Sequence, residues 1–472
     1  MIPLPLAEVA ALTGGRLTGV TEDEATAGLL VDGPVVTDSR EAAPGGLYVA
    51  RVGEHADGHD YAGDAVRAGC VAAVTTRPLE GLPCLVVEDT QEAFAAVARA
   101  VVDRSPDLAV VGVTGSSGKT STKDLLGSVL ARLGPTVAPV GSYNSEVGVP
   151  LTVCRVEPDT RVLVVEMGAR GVGHIAYLTS MAPPRVGVVL NVGTAHIGEF
   201  GSREAIGRAK SELPAALPAD GLAVLNADDP VVRAMAEVTA ARVVLVGEAE
   251  DADLRATAIA LDADGRPSFT LHAAGGSAEI ALRGLVGRHH VGNALAVAAV
   301  ALELGMSLED VAEALADATA VSRWRMEVTT RPDGVTVVND AYNANAESMA
   351  ASLEALGRMG EGRRTWAVLG AMLELGDQSE ALHAGVGRAA VAHGVDELVV
   401  VGEGARPIAD GALEALAGSS TTRVRTVPDA DSAERLLREE LRRGDVALFK
   451  SSRDAGLRWL GDRLATPPED LT

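Results

Sequence analysis

The chain has 472 residues, of which 47% are hydrophobic, and its formal net charge is −24. At roughly 150 residues per domain, that length implies about three domains, each with enough apolar material for its own core. The charge excludes broad nucleic-acid binding, which needs a basic face for phosphates, and 3% aromatic residues leave little for base stacking.

The predicted elements begin with short strands at Leu47–Ala50, Val71–Val74 and Cys84–Val87, followed by a helix over Glu92–Val102. The polar, proline-containing stretch Asp103–Asp107 reads as a linker. From Ala109 the pattern becomes strand, loop, helix, repeatedly. Val110–Val113 is a strand and Lys119–Leu133 a helix, and the β-branched runs Val162–Val165 and Val186–Leu190 read as buried parallel strands. Leu222–Leu225 and Val243–Val246 continue the series, and alternation between about residues 254 and 286 suggests β-hairpins. Asn293–Leu304 is an apolar helix, and Ser307 with Asp310 resembles a cap for the next one. A third unit starts near Val321, with strands at Val335–Val338, Trp366–Leu369, Leu398–Val401 and Val446–Phe449. The fold class is therefore α/β with open, mostly parallel sheets.

The longest apolar run, Ala294–Leu302, falls far short of the roughly 20 residues that span a bilayer, so no membrane insertion is expected. The N-terminus carries no basic segment followed by an apolar one, and Cys70, Cys84 and Cys154 are sparse and unpaired. Both features point to a cytoplasmic protein. Nothing in the sequence demands more than a monomer.

Thr114-Gly115-Ser116-Ser117-Gly118-Lys119-Thr120 lies between a strand and a helix. Glycines there let backbone N–H groups approach phosphate. The helix N-terminus adds a favourable field, Lys119 can reach the β/γ-phosphates, and Thr120 can hold Mg²⁺. The segment predicts an ATP site. Glu166 ends one predicted strand and His196 follows the next, which puts both at the carboxyl edge of the sheet, where ligands bind. Either could hold a magnesium ion or position a phosphate. In the third unit, Arg325, the loop Asn339–Asn345 and Lys450-Ser451-Ser452-Arg453 occupy the equivalent edge.

Lysine usage narrows the field. Only Lys119, Lys123, Lys210 and Lys450 occur among 41 basic residues. A chain that writes its cations as arginine has kept lysine where a primary amine or a compact charge is needed. Lys210, in a predicted helix over Ser202–Leu213, would otherwise be an ordinary surface residue.

Six ordered segments, Asp38–Arg40, Asn144–Pro150, Thr194–Gly201, Asp340–Asn345, Leu369–Gly376 and Lys450–Arg453, join the phosphate loop in a pattern that resembles the Mur ligase family of cell-wall amide-forming enzymes. The resemblance covers nearly the whole chain. It implies three domains: a small mixed α/β N-terminal domain that binds a UDP-sugar (1–105), a central P-loop ATP domain (106–319) and a C-terminal Rossmann-like domain for the amino substrate (320–472). It further implies ATP-dependent joining of D-alanyl-D-alanine to UDP-N-acetylmuramoyl-tripeptide (UDP-MurNAc-tripeptide). Carried onto this sequence, Thr114–Thr120, Asn293, Arg325 and Asp340 would face ATP. Asp38, Ser39, Arg40, Asn144, Tyr342, Asn343, Asn345, Lys450 and Arg453 would contact the other substrates. Thr120, Glu166, His196 and Lys210, the last as a carbamate, would hold Mg²⁺, and Lys119, Lys210, Glu166 and His196 would carry catalysis. Ser451, Ala371 and His290 depart from the family pattern. Two alternatives remain open: the family member that adds the third amino acid, disfavoured because no Asp-Asn-Pro-Arg-type stretch occurs, and a ligase-derived nucleotide-binding regulator.

Overall fold

A computed structural model describes residues 1–21, 28–53, 56–416 and 421–466. Three sheets follow one another along the chain, beside a two-stranded ribbon of Leu4–Pro5 and Leu30–Val31. The first has five strands in the order Arg16–Thr18, Cys84–Val86, Ala72–Thr75, Leu47–Val49 and Val35–Val36. Its outer strands escaped the sequence reading because two or three residues are too few to show a period.

The central sheet has nine strands. Their order is Gly276–Ala281, Pro267–Ala273, Leu254–Leu261, Arg242–Gly247, Leu222–Asn226, Val186–Val189, Ala109–Thr114, Val162–Glu166 and Thr136–Val137. Pairing is parallel from Thr136–Val137 through to Leu254–Leu261, and antiparallel in the terminal hairpins. Ala109–Thr114 lies between Val162–Glu166 and Val186–Val189, so the chain leaves it first to one side and then to the other. That is a switch point, and a crevice opens at the carboxyl ends of the strands.

The third sheet runs Glu327–Thr330, Thr336–Asn339, Val446–Lys450, Thr365–Leu369, Glu397–Val401 and Arg423–Val427, parallel apart from the first pair. The last strand in the sequence inserts between Thr336–Asn339 and Thr365–Leu369. Three adjacent carboxyl ends therefore present Asp340, Gly370 and Lys450 on one edge. The edge strands Glu327–Thr330 and Arg423–Val427 were not anticipated, since their alternating charged and polar residues match half-exposed edges rather than buried runs.

Two glycines outside the phosphate loop decide how closely one helix approaches the central sheet. Gly112 and Gly187 are register partners on neighbouring strands. A Cβ on Gly112 would lie 2.9 Å from Leu213 Cδ1, and one on Gly187 3.1 Å from Leu217 Cδ1. Leu213 lies in the helix Arg203–Ala215, which carries Lys210. The flat glycine patch thus lets that helix sit low enough to bury the lysine beside the crevice.

The first and second units share one apolar core, in which Phe94, Val97 and Val101 join Val149, Val153 and Leu178. Tyr177 Oη donates to Glu92 Oε1 at 2.7 Å across the same junction. The second and third units meet through the segment after Val321. There Lys123, buried beside Asp124, donates to Pro139 O (2.8 Å) and Ser322 Oγ (3.3 Å). Ser322 N donates in turn to Asp124 Oδ2 at 2.9 Å. The one lysine outside the sequence motifs is therefore an internal tie to the connecting segment.

Candidate active site

A cleft of about 1110 Å³ opens between the central and third sheets. It gathers Gly115–Thr120, Asn144, Glu166, His196, Lys210, Asn293, Arg325, Asp340, Tyr342, Asn343, Asn345, Lys450 and Arg453 from sequence positions more than 300 residues apart. Asp38, Ser39 and Arg40 lie outside it, in and before a single turn of the first unit. There the Arg40 guanidinium holds the Asp38 carboxyl down to about 2.

Thr114 is the one phosphate-loop residue whose side chain turns away. It is fully buried, and its Oγ1 donates to Met167 O at 2.9 Å. Gly118 caps the helix Lys119–Leu130 in the left-handed region (φ 80°), and a Cβ there would sit 2.8 Å from Asn293 Oδ1. Lys119 Nζ donates to Gly115 O at 2.7 Å. Burial is the main influence pushing its pKa down, opposed by the nearby Glu166 carboxylate. Asn191, at the end of the next strand, accepts from Ser116 N (3.0 Å) and Ser117 N (2.9 Å) and so braces the loop.

Glu166 is completely buried. Its Oε1 accepts from Asn144 Nδ2 (2.7 Å) and Ser142 Oγ (3.0 Å), whereas Oε2 is buried with no partner among the described residues. A buried carboxylate oxygen left open toward the phosphate loop is a fitting position for a divalent cation, which prefers hard oxygen ligands. Among the described residues no cluster of three His, Cys, Asp or Glu side chains stands ready for a metal. The remaining ligands of any such ion would have to come from hydroxyl, phosphate, water or a modified lysine.

Lys210 is 5% exposed and has no hydrogen bond or ion pair among the described residues. Burial, then the charge of Lys119, holds its pKa well below the ordinary 10.5. Both influences favour the uncharged amine, which is the form that adds CO₂ to give a carbamate.

His196 adopts φ 60°, and its Nδ1 bonds Glu374 of the third unit. Burial lowers its pKa, against the opposing pull of Glu374. Trp324 (φ 60°), Met326 (φ 50°) and Glu374 (φ 61°) share this strained conformation, at about 1–3 kcal/mol each. Trp324 and Met326 flank Arg325 and direct it into the cleft. Its Nη2 donates to Thr120 Oγ1 at 3.2 Å, the guanidinium lies 4.4 Å over the Tyr342 ring, and its buried Nε has no partner among the described residues. An unsatisfied guanidinium N–H beside a phosphate loop suits an anionic ligand.

Asp340 is used within the third unit. Oδ1 accepts from Met326 N (3.1 Å), and Oδ2 accepts from Ser352 Oγ (2.7 Å) and Lys450 Nζ (2.5 Å). Lys450 is buried and also donates to Asn343 O at 3.3 Å, so the pair shapes the Asn343–Asn345 loop from beneath. Of the three departures from the family pattern, Ser451 is buried against Gly370, Ala371 O accepts from Ser452 N at 2.9 Å, and His290 lies 3.5 Å from Asn293 Nδ2.

Sequence reasoning missed Asn191, Ser142 and Glu374, which brace residues of the site, and Glu347, which links the second and third units. Asn191 could have been found from its place at a strand's carboxyl end. Glu374 stands in the segment Leu369–Gly376, but its role comes from a contact that crosses 178 residues.

The Glu374 loop is held from behind by buried His383. Its Nδ1 donates to Ser379 O (2.7 Å), and its Nε2 accepts from Met372 N (2.9 Å). Burial lowers the His383 pKa below the ordinary 6.5. The unfolded chain therefore takes up the proton first, and this contribution to stability is intact above 6.5 and lost as pH falls through the folded-state value. Thermal midpoints measured from about pH 7 to about pH 5 should fall more steeply in the parent than in His383→Asn, and parallel losses would remove His383 from the account.

Two family models match parts of the chain. Residues 113–301 match the Mur ligase middle domain, and residues 324–453 match the Mur ligase glutamate ligase domain. The chain is 49% identical to the UDP-N-acetylmuramoyl-tripeptide–D-alanyl-D-alanine ligase of Mycobacterium tuberculosis, with 98% of each chain covered. A crystal structure of MurF from Acinetobacter baumannii superposes with a TM-score of 0.87 at 31% identity, over 98% of this chain and 99% of that one. MurF ligase from Thermotoga maritima in complex with ADP gives 0.80 at 30% identity, over 92% and 97%.

Proposed function

Because the chain belongs to the Mur ligase family, we propose that it joins D-alanyl-D-alanine to UDP-N-acetylmuramoyl-tripeptide while ATP is cleaved to ADP and phosphate. The observation that carries this reading is the buried, unpartnered Lys210 beside Lys119 and the open oxygen of Glu166. A protein that only bound a nucleotide would have no use for an isolated, desolvated lysine lining the same cleft as the phosphate loop.

In the proposed reaction, the tripeptide carboxylate attacks the γ-phosphorus and ADP leaves. The dipeptide amine attacks the resulting acyl carbon, loses a proton and expels phosphate. The Gly115–Gly118 backbone and Lys119 would hold the transferring phosphates from one side, and Arg325 from the other. Thr120, Glu166, His196 and a carbamate on Lys210 would hold Mg²⁺, which supplies neutralisation of phosphate charge. Asn343 and Asn345 offer hydrogen-bonding groups to the incoming dipeptide. Residues 1–105 would take the UDP-sugar, 106–319 ATP and 320–472 the dipeptide.

Among the described residues, no helix is long and apolar enough to cross a membrane. A monomer working in the cytoplasm, where ATP is available, completes the proposal. The test is ADP release with ATP and each acceptor singly and together. Sustained turnover should need both UDP-MurNAc-tripeptide and D-alanyl-D-alanine. Product from UDP-MurNAc-dipeptide and a diamino acid, with none from the expected pair, would assign the chain to the preceding step.

A further inference from the structure

We propose that Glu347 is a positioning residue that fastens the third unit onto the phosphate-binding edge of the second. Glu347 lies in the first turn of the helix Ala346–Met359, whose N-cap is Asn345. Its Oε1 accepts from Thr194 N at 2.8 Å and its Oε2 from Thr194 Oγ1 at 3.0 Å, across 153 residues of sequence. Asn345 Nδ2 donates to Ser116 O at 3.4 Å, and Ser116 Oγ accepts from Gly193 N at 2.9 Å. One helix turn therefore holds both the phosphate loop and the loop that carries His196.

The position opposite is shaped to receive the carboxylate. A Cβ on Gly193 would lie 2.7, 2.8 and 3.0 Å from Cδ, Oε1 and Oε2 of Glu347. Gly193 has no left-handed φ, so it is the space above it, rather than its own conformation, that excludes a side chain. The same contact can thus be broken from either unit, by removing Glu347 or by filling its seat. The carboxylate needs two donors rather than a counter-charge. An amide at the same place can still accept from Thr194 N and donate to Thr194 Oγ1.

Fastening matters because the groups of the two units face each other only when the units are closed. If the open form is favoured, apparent affinity falls by the closed fraction, while a saturating ligand still recovers closure. Weakening the fastening should therefore raise KM and leave kcat nearly unchanged. A misfolded fraction would do the reverse. The kinetic role of Glu347 rests on the ligase reading above, whereas its mechanical role does not.

The full chain should be compared with Glu347→Ala, Gly193→Ala, the double variant and Glu347→Gln. Small-angle X-ray scattering gives the radius of gyration, and ADP release gives the kinetics. Both alanine variants should expand the particle and raise KM for ATP and dipeptide roughly tenfold, with kcat within about threefold of the parent. The double variant should be no worse than the weaker single, because both remove one contact. Glu347→Gln should stay compact with near-parental KM. The proposal is overturned if Gly193→Ala behaves as the parent, if the two effects multiply, or if Glu347→Gln loses kcat while remaining compact. The last result would make Glu347 a charged participant in the chemistry. A parent that closes but releases no ADP with the expected pair would instead count against the function and leave the fastening intact.

Discussion

Replacing Lys210 with alanine is expected to lower ligase turnover roughly 1000-fold, the upper range for loss of one preorganised electrostatic group. The lysine is buried and has no hydrogen-bonding or ionic partner among the described residues, and desolvation, then the charge of Lys119, disfavours its charged form. Neutrality is a cost if the side chain is only structural, since an ordinary lysine would be more stable in water. It is a requirement if the amine must add CO₂ and release a proton. Lys210→Arg should fail as completely as alanine, because a guanidinium stays protonated and does not carbamylate. Formate or acetate added to Lys210→Ala should restore part of the turnover by supplying the missing carboxylate. Removing CO₂ and bicarbonate should slow the parent reversibly. A fully active Lys210→Ala would return the residue to an ordinary helical lysine.

Lys119→Ala is expected to reduce kcat by about 100- to 1000-fold, with a smaller rise in KM for ATP. Lys119 is anchored through Gly115 O at 2.7 Å and flanked by Glu166 and Arg325. It is held at the place where charge grows as the γ-phosphoryl group transfers, so most of its contribution belongs to the transition state. Lys119→Arg should not rescue, because a planar fork cannot replace a compact ammonium in the turn formed by Gly115 and Gly118. Steady-state kinetics in ATP separates the two parameters. A variant that altered KM alone would reduce Lys119 to ground-state binding.

The strained backbone at His196, Trp324, Met326 and Glu374 bears on both expectations. These four residues account for all but one of the non-glycine left-handed positions found among the described residues, and they include or flank His196, Arg325 and Glu374, which line the cleft. Such conformations persist only where the surrounding contacts impose them. Here the contacts run between units: His196 to Glu374, Arg325 to Thr120, and Gly198 N to Glu374 O at 2.9 Å. The geometry of the site is thus a property of the closed arrangement, not of either sheet alone.

Much of this was legible in residue order. The β-branched runs Val162–Val165 and Val186–Leu190 are buried parallel strands because both their faces are covered, and no alternation survives. Once those strands were placed, Glu166 and His196 fell at one edge by simple counting. The retention of lysine at three motif positions in an arginine-using chain marked Lys119, Lys210 and Lys450 without any knowledge of contacts.

Side-chain direction and long-range pairing were not legible. Thr114 belongs to the phosphate-loop segment, yet its hydroxyl points into the sheet toward Met167 O, because residues alternate faces along a strand and Thr114 is still within it. Asp340 lines the cleft, but that its carboxylate also accepts from Met326 N, Ser352 and Lys450 could not be read from residue order. Glu347 and Glu374 are charged loop and helix-end residues that look like solvated surface until another unit lies against them. The sequence by itself determined the three α/β units, the phosphate loop and the edge on which the chemistry sits, because periodicity and strand order are local. Only the tertiary structure decided which carboxylates are open, which are spent on structure, and which hold the units together. Those properties depend on what is packed opposite, often more than 100 residues away.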